Sequence, residues 1–580
     1  MTNEEKEVIR DLKAEAVYEL QQKSHSFYLE KYKSALVDTD ARIASYCFSV
    51  IDNPEEHNVY EVLGVRRFFK MLDKFAWEKK KVKQFFRLYE ILKLSGTSGR
   101  RRYKLTPIQC FQFANIYGLK DANGRRLIRT AYIFVPRKFS KTTSAAVMAV
   151  YDMLFGDNNA QAYVGANSYE QAKICFDEIR AILRGLDPSE RHLRVNREKI
   201  TFKDPGRDSL IRCLTANAKT QDGLFASLVI MDEYAQARDT AGKNGADLKN
   251  VLTSSMGPRR EPLTLIITTA SEVVDGPFFK EFEGVLKVLR GEMEVNSMFA
   301  SVFMPDVDDS ENDPKTWQKV QPHLGITVQP DYYEREWENS SLSAENKLTF
   351  RTKLLNIFAV NEEKSWINSE IARKISIPMP LTEIKGRPAA MVAIDLSESD
   401  DFSAVTIGMY DGKKRIFYFH TSYFFPEDAL AGHPNERMYR IWVENGHLIL
   451  TPGAVIDYRV IVDYVLMLNG VAKILEIGYD PYKSTEVVNM LSAAGAENVL
   501  KGVRQTYGNF TAPVESFEHG VKTGHVFIND NPINAYCFGN AVLDTDNLDN
   551  CKPIKRSRYQ KIDGVITMLM CLRLFIDYER

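Results

Sequence analysis

A short apolar segment that runs into a basic turn constrains the fold of this chain more than any other feature. Residues 131–143 read AYIFVPRKFSKTT, and the apolar run SAAVMAVYDMLF follows. The order strand, turn, Lys-Thr, helix is that of a P-loop, whose backbone N–H groups and positive helix end hold nucleotide phosphates. In such a loop Lys141 reaches the β and γ phosphates and the Thr142 hydroxyl binds magnesium.

The loop departs from the usual GxxxxGK[ST] pattern, because Val135 and Ser140 occupy its two glycine positions. A side chain in a turn that needs positive φ costs about 1–2 kcal/mol. The alternative interpretation is a basic surface turn before a helix.

An acidic pair further along the chain favours the phosphate-binding interpretation. Residues 227–231 form a nearly continuous apolar run that ends in Asp232 and Glu233. Two carboxylates at the end of a buried strand are costly unless they have a function. In a P-loop ATPase the aspartate helps to hold magnesium and the glutamate orients and activates the attacking water. Acidic pairs also occur as plain turn residues, but the Lys-Thr turn upstream favours the ATPase.

Two weaker signals accompany this pair. The apolar strand 263–267 ends in Thr268-Thr269-Ala270-Ser271, a hydroxyl-bearing segment that can sense the γ-phosphate or simply end a strand. Gln109 precedes the loop and can hydrogen-bond the adenine edge, although an ordinary helix-surface glutamine is the alternative.

Composition restricts the class of protein. A chain of 580 residues predicts two or three domains, and 44% hydrophobic residues, 26% charged residues and a net charge of −1 are typical of a soluble globular protein. Seven scattered cysteines without a CxxC pair argue against a zinc site and a disulfide framework and favour a reducing interior. The charged N-terminus lacks an apolar signal region, and no stretch of about 20 apolar residues predicts a membrane span.

Patterning predicts four segments: a helical region 1–95, an ATPase domain 96–360, a linker 361–388 and a second α/β domain 389–580. In the ATPase domain, apolar strands alternate with amphipathic helices, which favours a mainly parallel sheet covered by helices. These strands are 132–135, 160–167, 209–216, 227–233 and 263–271.

A basic stretch, residues 66–104, spans the boundary between the helical region and the ATPase domain. It is interpreted as a solvated helical face, with a phosphate-contact surface as the alternative.

The second domain begins with three apolar strands, MVAIDL, SAVTIGMY and KRIFYFHTSYF, with Asp411-Gly412 as a tight hairpin turn between the last two. A helix (DYRVIVDYVLML), a strand (AKILEIGYD) and a late helix (IDGVITMLMCLRLF) follow. Three antiparallel strands, a helix, a strand and a late helix make the RNase H-like order.

Aspartates stand at three points of this second domain. Asp395 interrupts the first strand, Asp480 ends the fourth strand and Asp563 begins the late helix. Together they can hold two Mg²⁺ or Mn²⁺ ions, which clamp the attacking and leaving oxygens of a phosphodiester. Singly, Asp563 could cap a helix and Asp480 could begin a turn. Asp401 is a candidate fourth carboxylate.

Lys555 and Arg558 precede the last of these motifs. They could contact DNA phosphates or belong to a solvated basic loop.

Together these segments resemble the large terminase subunit of tailed bacteriophages, the DNA-packaging motor. PRKFSKTT is similar to that family's variant P-loop, with Arg137 at its early arginine; LTPIQCFQF resembles the adenine motif, DGLFASLVIMDEYAQ the Walker B region and TTAS the coupling motif. Two further segments are typical of this branch of the terminase family, SYEQAKICFDEI and DPKTWQKVQPHLG. Three segments of the second domain resemble terminase nuclease motifs: AIDLSESDDFSA, GYDPYKS and KIDGV. The resemblance runs from about residue 100 to the C-terminus, and Ser140 departs from the usual glycine.

The resemblance implies an ASCE-type P-loop ATPase domain followed by an RNase H-like nuclease domain. Glu233 would activate water, and Arg137 would contact the γ-phosphate in its own subunit or serve a neighbour. ATP and its Mg²⁺ would be held by Gln109, Arg137, Lys138, Ser140, Lys141, Thr142, Thr143 and Asp232. Asp395, Asp480 and Asp563 would hold the two nuclease metals.

The implied partners are double-stranded DNA, a small terminase subunit and the portal of a procapsid, with the chain in a pentameric homo-oligomeric ring. The implied location is the host bacterial cytoplasm. Two rival functions are a helicase or repair ATPase with a nuclease domain, which would unwind a forked duplex, and a DNA-binding scaffold with a degenerate ATP site, which would not bind ATP.

Overall fold

The computed structural model divides the chain into two compact units, Met1–Val360 and Asn361–Arg580. It describes residues 3–96, 99–215, 223–238, 245–274, 276–359, 365–384, 386–397, 402–431, 433, 435–482, 484–546, 548–555 and 560–578. Asp401 and Arg558 lie outside the described residues. None of the described helices is both long enough and apolar enough to cross a membrane.

The first unit places its helices around one large sheet. The helices are α1 Asn3–Gln21, α2 His25–Lys31, α3 Lys33–Leu36, α4 Ala41–Asp52, α5 Val59–Lys74, α6 Lys79–Ile91, α7 Pro107–Gly118, α8 Lys141–Phe155, α9 Tyr169–Leu186, α10 Asp247–Ser254, α11 Pro277–Arg290, α12 Pro314–Val320, α13 Pro330–Ser340 and α14 Ala344–Thr349, which continues into a π-helical turn, Phe350–Leu354. The strands are β1 Ala76–Trp77, β2 Leu119–Lys120, β3 Thr130–Phe134, β4 Gln161–Ala166, β5 Leu193–Val195, β6 Lys199–Phe202, β7 Leu210–Thr215, β8 Leu228–Asp232, β9 Leu263–Thr268 and β10 Met298–Val302.

The strand order of this sheet sets the position of the first site. The order is β10-β3-β9-β8-β4-β7-β6-β5, and all neighbours from β10 to β7 are parallel, whereas β6 and β5 are antiparallel. Because carboxyl ends of neighbouring parallel strands meet at one edge, the loops after β3, β9 and β8 adjoin. The mainly parallel sheet and the five predicted strands are confirmed.

Three strands of this sheet were not predicted. β10 pairs in parallel with β3 along its whole length, and β5 and β6 form an antiparallel hairpin at the opposite edge. The helical N-terminal region also contains β1, which pairs with β2. One continuous apolar core reaches from Ala16 in α1 to Phe303 after β10, so the N-terminal helices and the sheet share a core.

The second unit is built on another mixed sheet. Its helices are α15 Ser369–Lys374, α16 Glu436–Glu444, α17 Tyr458–Val471, α18 Thr485–Leu491, α19 Tyr507–Thr523, α20 Pro532–Asn540 and α21 Asp563–Tyr578. Its strands are β11 Ser376–Ile377, β12 Ala389–Asp395, β13 Ser403–Asp411, β14 Ile416–Pro426, β15 Leu448–Thr451, β16 Lys473–Tyr479, β17 Leu500–Gly502, β18 Val526–Asn529, β19 Ala541–Thr545 and β20 Cys551–Lys555. Short 3-10 turns are Pro54–Glu56 and Tyr234–Gln236 in the first unit and Leu381–Glu383 and Glu497–Val499 in the second, which also has a π turn at Ser492–Ala496.

The RNase H-like order of this unit is confirmed. The strand order is β11-β18-β14-β13-β12-β16-β17, with β15 beside β14. β12, β13 and β14 are antiparallel, and β16 joins β12 in parallel. One apolar core contains much of α21 together with Met391 and Ala404, and a second contains Val392 and residues of α17. Alternate residues of β12 therefore face different helices, as the pleat of a strand requires.

The turn between β13 and β14 differs from the predicted two-residue Asp-Gly turn. The connection comprises residues 412–415, and the carboxylate of Asp411 accepts the backbone N–H groups of Lys413 and Lys414 at 3.0 and 3.2 Å. The positive φ, 59°, falls on Arg415 and not on Gly412. The aspartate side chain thus shapes a longer turn, as short polar side chains often do.

The predicted linker also contains ordered elements. Within residues 361–388, α15 carries the fully buried Ala372, and β11 pairs in parallel with β18. Ala372 of α15 belongs to the apolar core of the second unit. The four-part division of the chain stays a prediction.

Candidate functional site

The loop between β3 and α8 holds two non-glycine residues in the left-handed region. Ser140 has φ 66° and ψ 29°, and Lys138 has φ 74°. Such a conformation suits glycine because it has no Cβ. The position at which the usual pattern has its second glycine therefore does require positive φ, and Ser140 carries the strain.

Lys141 begins α8 with a buried side chain. Its ammonium group donates to the Thr269 hydroxyl and, at 3.2 Å, to the Pro136 carbonyl, and it lies 3.6 Å from the Glu233 carboxylate. Burial lowers the pKa of Lys141, and the negative charge of Glu233 opposes that shift. The lysine is thus held inside the loop by groups that a phosphate could replace.

Thr142 and Asp232 meet at the same edge of the sheet. The Thr142 hydroxyl donates to Asp232 Oδ2 at 3.4 Å. Asp232 is only 4% exposed, and its other oxygen, Oδ1, has no hydrogen-bond partner among the described residues. Burial first and the Glu233 charge second raise the pKa of Asp232 to about 7. A buried carboxylate oxygen without a partner, beside a hydroxyl, fits the oxygen ligands that Mg²⁺ prefers.

Glu233 follows directly in a strained backbone conformation, with φ 52° and ψ 41°. Its Oε2 accepts the backbone N–H of Thr269 at 3.2 Å, while Oε1 faces Lys141. The carboxylate therefore links the loop lysine to the end of β9.

The segment after β9 is hydrogen-bonded to Lys353 and Asn356, two residues that the sequence did not indicate. The Thr269 hydroxyl donates to the Val135 carbonyl at 2.9 Å. Next to it, the Ala270 N–H donates to the Asn356 side chain at 2.7 Å, and Lys353 donates to the Ala270 carbonyl at 2.9 Å. Asn356 also donates to the Phe303 carbonyl at 2.6 Å. No motif surrounds Asn356 or Lys353, so no sequence signal pointed to them.

The other loop residues are oriented mainly by their backbone groups. Arg137 and Lys138 have exposed side chains, and Thr143 is half-buried in the first turn of α8. The Arg137 N–H donates to the Lys353 carbonyl at 2.9 Å, and its carbonyl accepts from Gln321 at 2.8 Å. The structure thus gathers Arg137, Lys138, Ser140, Lys141, Thr142, Thr143, Asp232 and Glu233 at one edge; their roles stay predictions.

Gln109 lies near the start of α7 and is 3% exposed, so the alternative of an ordinary surface glutamine is wrong. Its side-chain oxygen accepts the Thr106 N–H at 3.1 Å in a capping box, and its amide nitrogen donates to the Tyr89 hydroxyl at 3.5 Å. A contact with adenine requires these bonds to open, and it stays a prediction.

In the second unit the register brings two aspartates together. Asp395 ends β12, Asp480 follows β16, and the residues just before them, Ile394 and Tyr479, are paired in the parallel ladder. Gln505 donates to Asp395 at 3.2 Å, a contact that no sequence pattern indicated. The two aspartates therefore share one edge of the sheet.

Asp563 is the first residue of α21, which packs across β12 and β13. The next residue, Gly564, permits close packing against β14, because a Cβ there would lie 1.9 Å from the hydroxyl of Tyr423 in that strand. Among the described residues, no three His, Cys, Asp or Glu side chains form a group that could hold a metal ion. The oxygen donors of the three aspartates suit a hard divalent cation, and their joint role stays a prediction. Lys555 ends β20 with an exposed side chain.

Comparison with known proteins assigns both units. A family model described as "Terminase large subunit, ATPase domain" matches residues 107–286, and one described as "Terminase large subunit, endonuclease domain" matches residues 292–579. The second model begins before β10, which belongs to the first sheet.

The chain is also similar to curated proteins and to a solved structure. Protein YmfN of Escherichia coli (strain K12) is 28% identical over 385 residues, which is 63% of this chain and 81% of that protein. The terminase large subunit of Enterobacteria phage HK97 is 24% identical over 454 residues, which is 76% of this chain and 85% of that protein. The crystal structure of the HK97 large terminase matches with 21% identity and a TM-score of 0.46, over 85% of this chain and 99% of that chain.

The two matched domains are those of enzymes that use nucleotide and divalent metal, and the terminase large subunit acts in the packaging of phage DNA. With both domain models matched in order and together covering most of its length, the chain belongs to the phage terminase large subunit family.

Proposed function

We propose that this chain hydrolyses ATP to move double-stranded viral DNA into a procapsid, and that it cuts concatemeric DNA with a two-metal nuclease. The observation that carries the proposal is the cluster of Lys141, Thr142, Asp232, Glu233 and Thr269 at one edge of the first sheet.

Lys141 and Glu233 form a pair that nucleotide binding would separate. A γ-phosphate is a more highly charged acceptor than the hydroxyl and carbonyls that now hold Lys141. Once the ammonium group turns to phosphate, the Glu233 carboxylate is free to orient the attacking water and accept its proton. Hydrolysis then breaks the β–γ phosphoanhydride bond and leaves ADP and phosphate.

Thr142 and Asp232 would hold Mg²⁺, which supplies positive charge to the phosphates. Asp232 must be ionised to do so, and bound Mg²⁺ would offset the burial that now raises its pKa. Arg137, whose exposed guanidinium lies at the same loop, would contact the γ-phosphate in its own subunit or in a neighbour.

The end of β9 provides a route from hydrolysis to movement. Thr269 contacts Lys141, Glu233 and the Val135 carbonyl, and the adjacent Ala270 is bonded to Lys353 and Asn356. When phosphate leaves, Lys141 returns to Thr269, and the change reaches residues 353–356 through Ala270.

In the second unit, Asp395, Asp480 and Asp563 would hold two Mg²⁺ or Mn²⁺ ions, which clamp the oxygens of the scissile phosphodiester. Gln505 would keep the Asp395 carboxylate oriented. The working assembly would be a pentameric ring on the portal in the host cytoplasm, aided by a small terminase subunit. Contact with DNA would be mainly through backbone phosphates and therefore sensitive to salt.

Paired variants test the two activities separately. Glu233→Ala should bind ATP but lose turnover by 10²-fold or more, because the general base is gone. Asp480→Ala should lose metal-dependent DNA cleavage by a similar factor while its ATPase rate stays within about twofold of wild type.

Asp457→Asn is a matched control for the nuclease variant. Asp457 is an aspartate of the same unit that caps α17 and pairs with Arg459, and asparagine keeps the cap. Normal turnover in Glu233→Ala would remove Glu233 as the base, and normal cutting by Asp480→Ala would remove Asp480 from the nuclease site. Unwinding of a forked duplex would contradict movement of double-stranded DNA.

A further inference from the structure

A cavity of about 530 Å³ opens at the edge of the first sheet that lies opposite the P-loop. Its lining includes Leu228 and Leu263, the first residues of β8 and β9, and the last turn of α8. Lys141 begins that helix, and 15 helical residues span roughly 20 Å. The cavity is therefore separate from the phosphate-binding loop.

The charge around the cavity is mainly positive. Five lysine and arginine side chains line it against three carboxylates, which favours an anionic ligand. Burial disfavours the charge of Glu261, but hydrogen bonds from Lys81 and Arg126 and the nearby lysines outweigh it and lower its pKa to about 2. This carboxylate is already paired with Lys81 at 2.7 Å. By contrast, the exposed guanidinium groups of Arg125 and Arg260 have no partner among the described residues.

Two buried arginines form the inner wall. Arg259 donates to Asn159 and to the Phe225 carbonyl, so its guanidinium is satisfied. Arg126 is 7% exposed, and its Nε has no hydrogen-bond partner among the described residues. A buried donor without an acceptor costs about 1–3 kcal/mol. A ligand oxygen that accepts a hydrogen bond from Arg126 Nε would remove this cost.

An aromatic row forms the other wall. The ring of Tyr151 lies 5.1 Å from that of Tyr117 and 5.4 Å from that of Phe155, measured between centroids. Phe155 is 48% exposed although it is a large apolar residue. Aromatic side chains stack on nucleobases of any sequence and gain about 1–3 kcal/mol per base.

We propose that this cavity is a second nucleotide-binding site, which holds the base against Phe155 and the phosphate on the arginines. Its volume lies in the range of small-molecule sites. Among its carboxylates, Glu261 is paired with Lys81 and Asp152 accepts a hydrogen bond from the Ser227 hydroxyl, so we assign binding and no hydrolysis to the site. The ligand is a nucleotide that carries a phosphate, either free in solution or at the 5′ end of a DNA strand. The inference does not depend on the proposed function of the P-loop.

Equilibrium dialysis with radiolabelled dAMP in EDTA tests the site. Lys141→Ala removes the side chain that would bind phosphate at the P-loop. This variant should still bind one equivalent of dAMP in the cavity. In that background, Arg260→Gln, Arg125→Gln and Phe155→Leu should each raise the Kd about tenfold, since each removes a charge-assisted bond or a stack.

Arg197→Gln is the matched control. Arg197 is an exposed arginine in the β5–β6 turn of the same sheet, and its loss should leave the Kd unchanged. Thermal unfolding confirms that each variant is folded. A 5′-phosphorylated DNA duplex that displaces dAMP, while its 5′-hydroxyl counterpart does not, assigns the site to strand ends. Displacement by free nucleotides alone assigns it to free nucleotide. Absence of dAMP binding to Lys141→Ala at millimolar concentration, or equal binding by the cavity variants, overturns the proposal.

Discussion

At the residue scale, the burial that positions Asp232 also opposes its charge. Its pKa is raised to about 7 from an ordinary value of 3.8. Between these two pH values the folded protein holds a proton that the unfolded chain has released. The free energy of unfolding therefore falls as pH rises through this window and stays lower above pH 7.

Replacement of Asp232 by asparagine removes this titration. Relative to wild type, Asp232→Asn should gain stability as pH rises from 4 to 8, by at most about 4 kcal/mol over three pH units. Thermal unfolding without Mg²⁺ at both pH values measures the difference, and Asp331→Asn on the exposed face of α13 is the control. A stability difference that is the same at pH 4 and pH 8 would contradict the raised pKa.

Affinity of wild type for Mg²⁺-ATP should rise as pH passes 7, since the Asp232 carboxylate must ionise to bind Mg²⁺.

Ser140 allows a second test at a single residue. Its φ of 66° is accessible to glycine without strain, whereas a β-branched side chain is disfavoured there. Ser140→Gly relieves about 1–2 kcal/mol of strain but adds about 0.4–1 kcal/mol of unfolded-state entropy, so its stability should rise by at most about 1.6 kcal/mol. Ser140→Val should lose stability and nucleotide affinity. Ser189→Val is the control, because Ser189 is an exposed turn serine outside the loop and its φ is not positive. A Ser140→Val variant that behaves like this control would contradict the need for positive φ at residue 140.

At the scale of elements, Asn356 joins two strand ends that are distant in sequence. It is fully buried with φ 58°, and its side chain bonds Ala270 after β9 and Phe303 after β10. These two bonds keep the segment after β9 in place beside the loop lysine. An amide is required, because one partner is an N–H and the other is a carbonyl.

Asn356→Ala should therefore cost about 2–4 kcal/mol, because two buried backbone groups lose their partners. Asn356→Gly loses the same bonds but relieves the positive φ, so it should be less destabilised than alanine. Denaturant unfolding measures the cost, and amide hydrogen exchange at Ala270 should speed up in both variants. Asn346→Ala, at an exposed asparagine in α14, is the control. Unchanged exchange at Ala270 would show that Asn356 does not hold the β9 end.

The same elements show what the sequence could predict. Apolar runs that end in functional residues, such as β8 before Asp232 and β12 with Asp395, were identified because burial and chemistry coincide there. β10 was missed because a five-residue run is ambiguous, and its pairing with β3 depends on a partner far away in sequence. Asn356 and Gln505 were missed for a similar reason: their roles come from tertiary contacts and leave no local pattern.

At the scale of the whole molecule, each apolar core formed by the described residues lies within one of the two units. Two clusters lie within residues 16–303 and 317–355, and two lie within residues 367–574. The predicted end of the ATPase domain at residue 360 agrees with the end of the first unit, but the place of residues 298–302 as a strand of the first sheet was not predicted. The start of the endonuclease model at residue 292 places these same residues with the second domain.

Two N-terminal fragments test whether the first unit ends near residue 359 or near residue 291. Residues 1–359 retain β10, Lys353 and Asn356, so this fragment should unfold cooperatively and bind ATP, because its cores are complete. Residues 1–291 lack β10, which leaves the edge of β3 unpaired and the β9 end without Asn356. This shorter fragment should aggregate or unfold at a much lower temperature, since an exposed apolar strand edge invites pairing with other chains. Size-exclusion chromatography and thermal unfolding with and without ATP compare them, and equal behaviour of the two fragments would show that residues 292–359 are dispensable for the first unit.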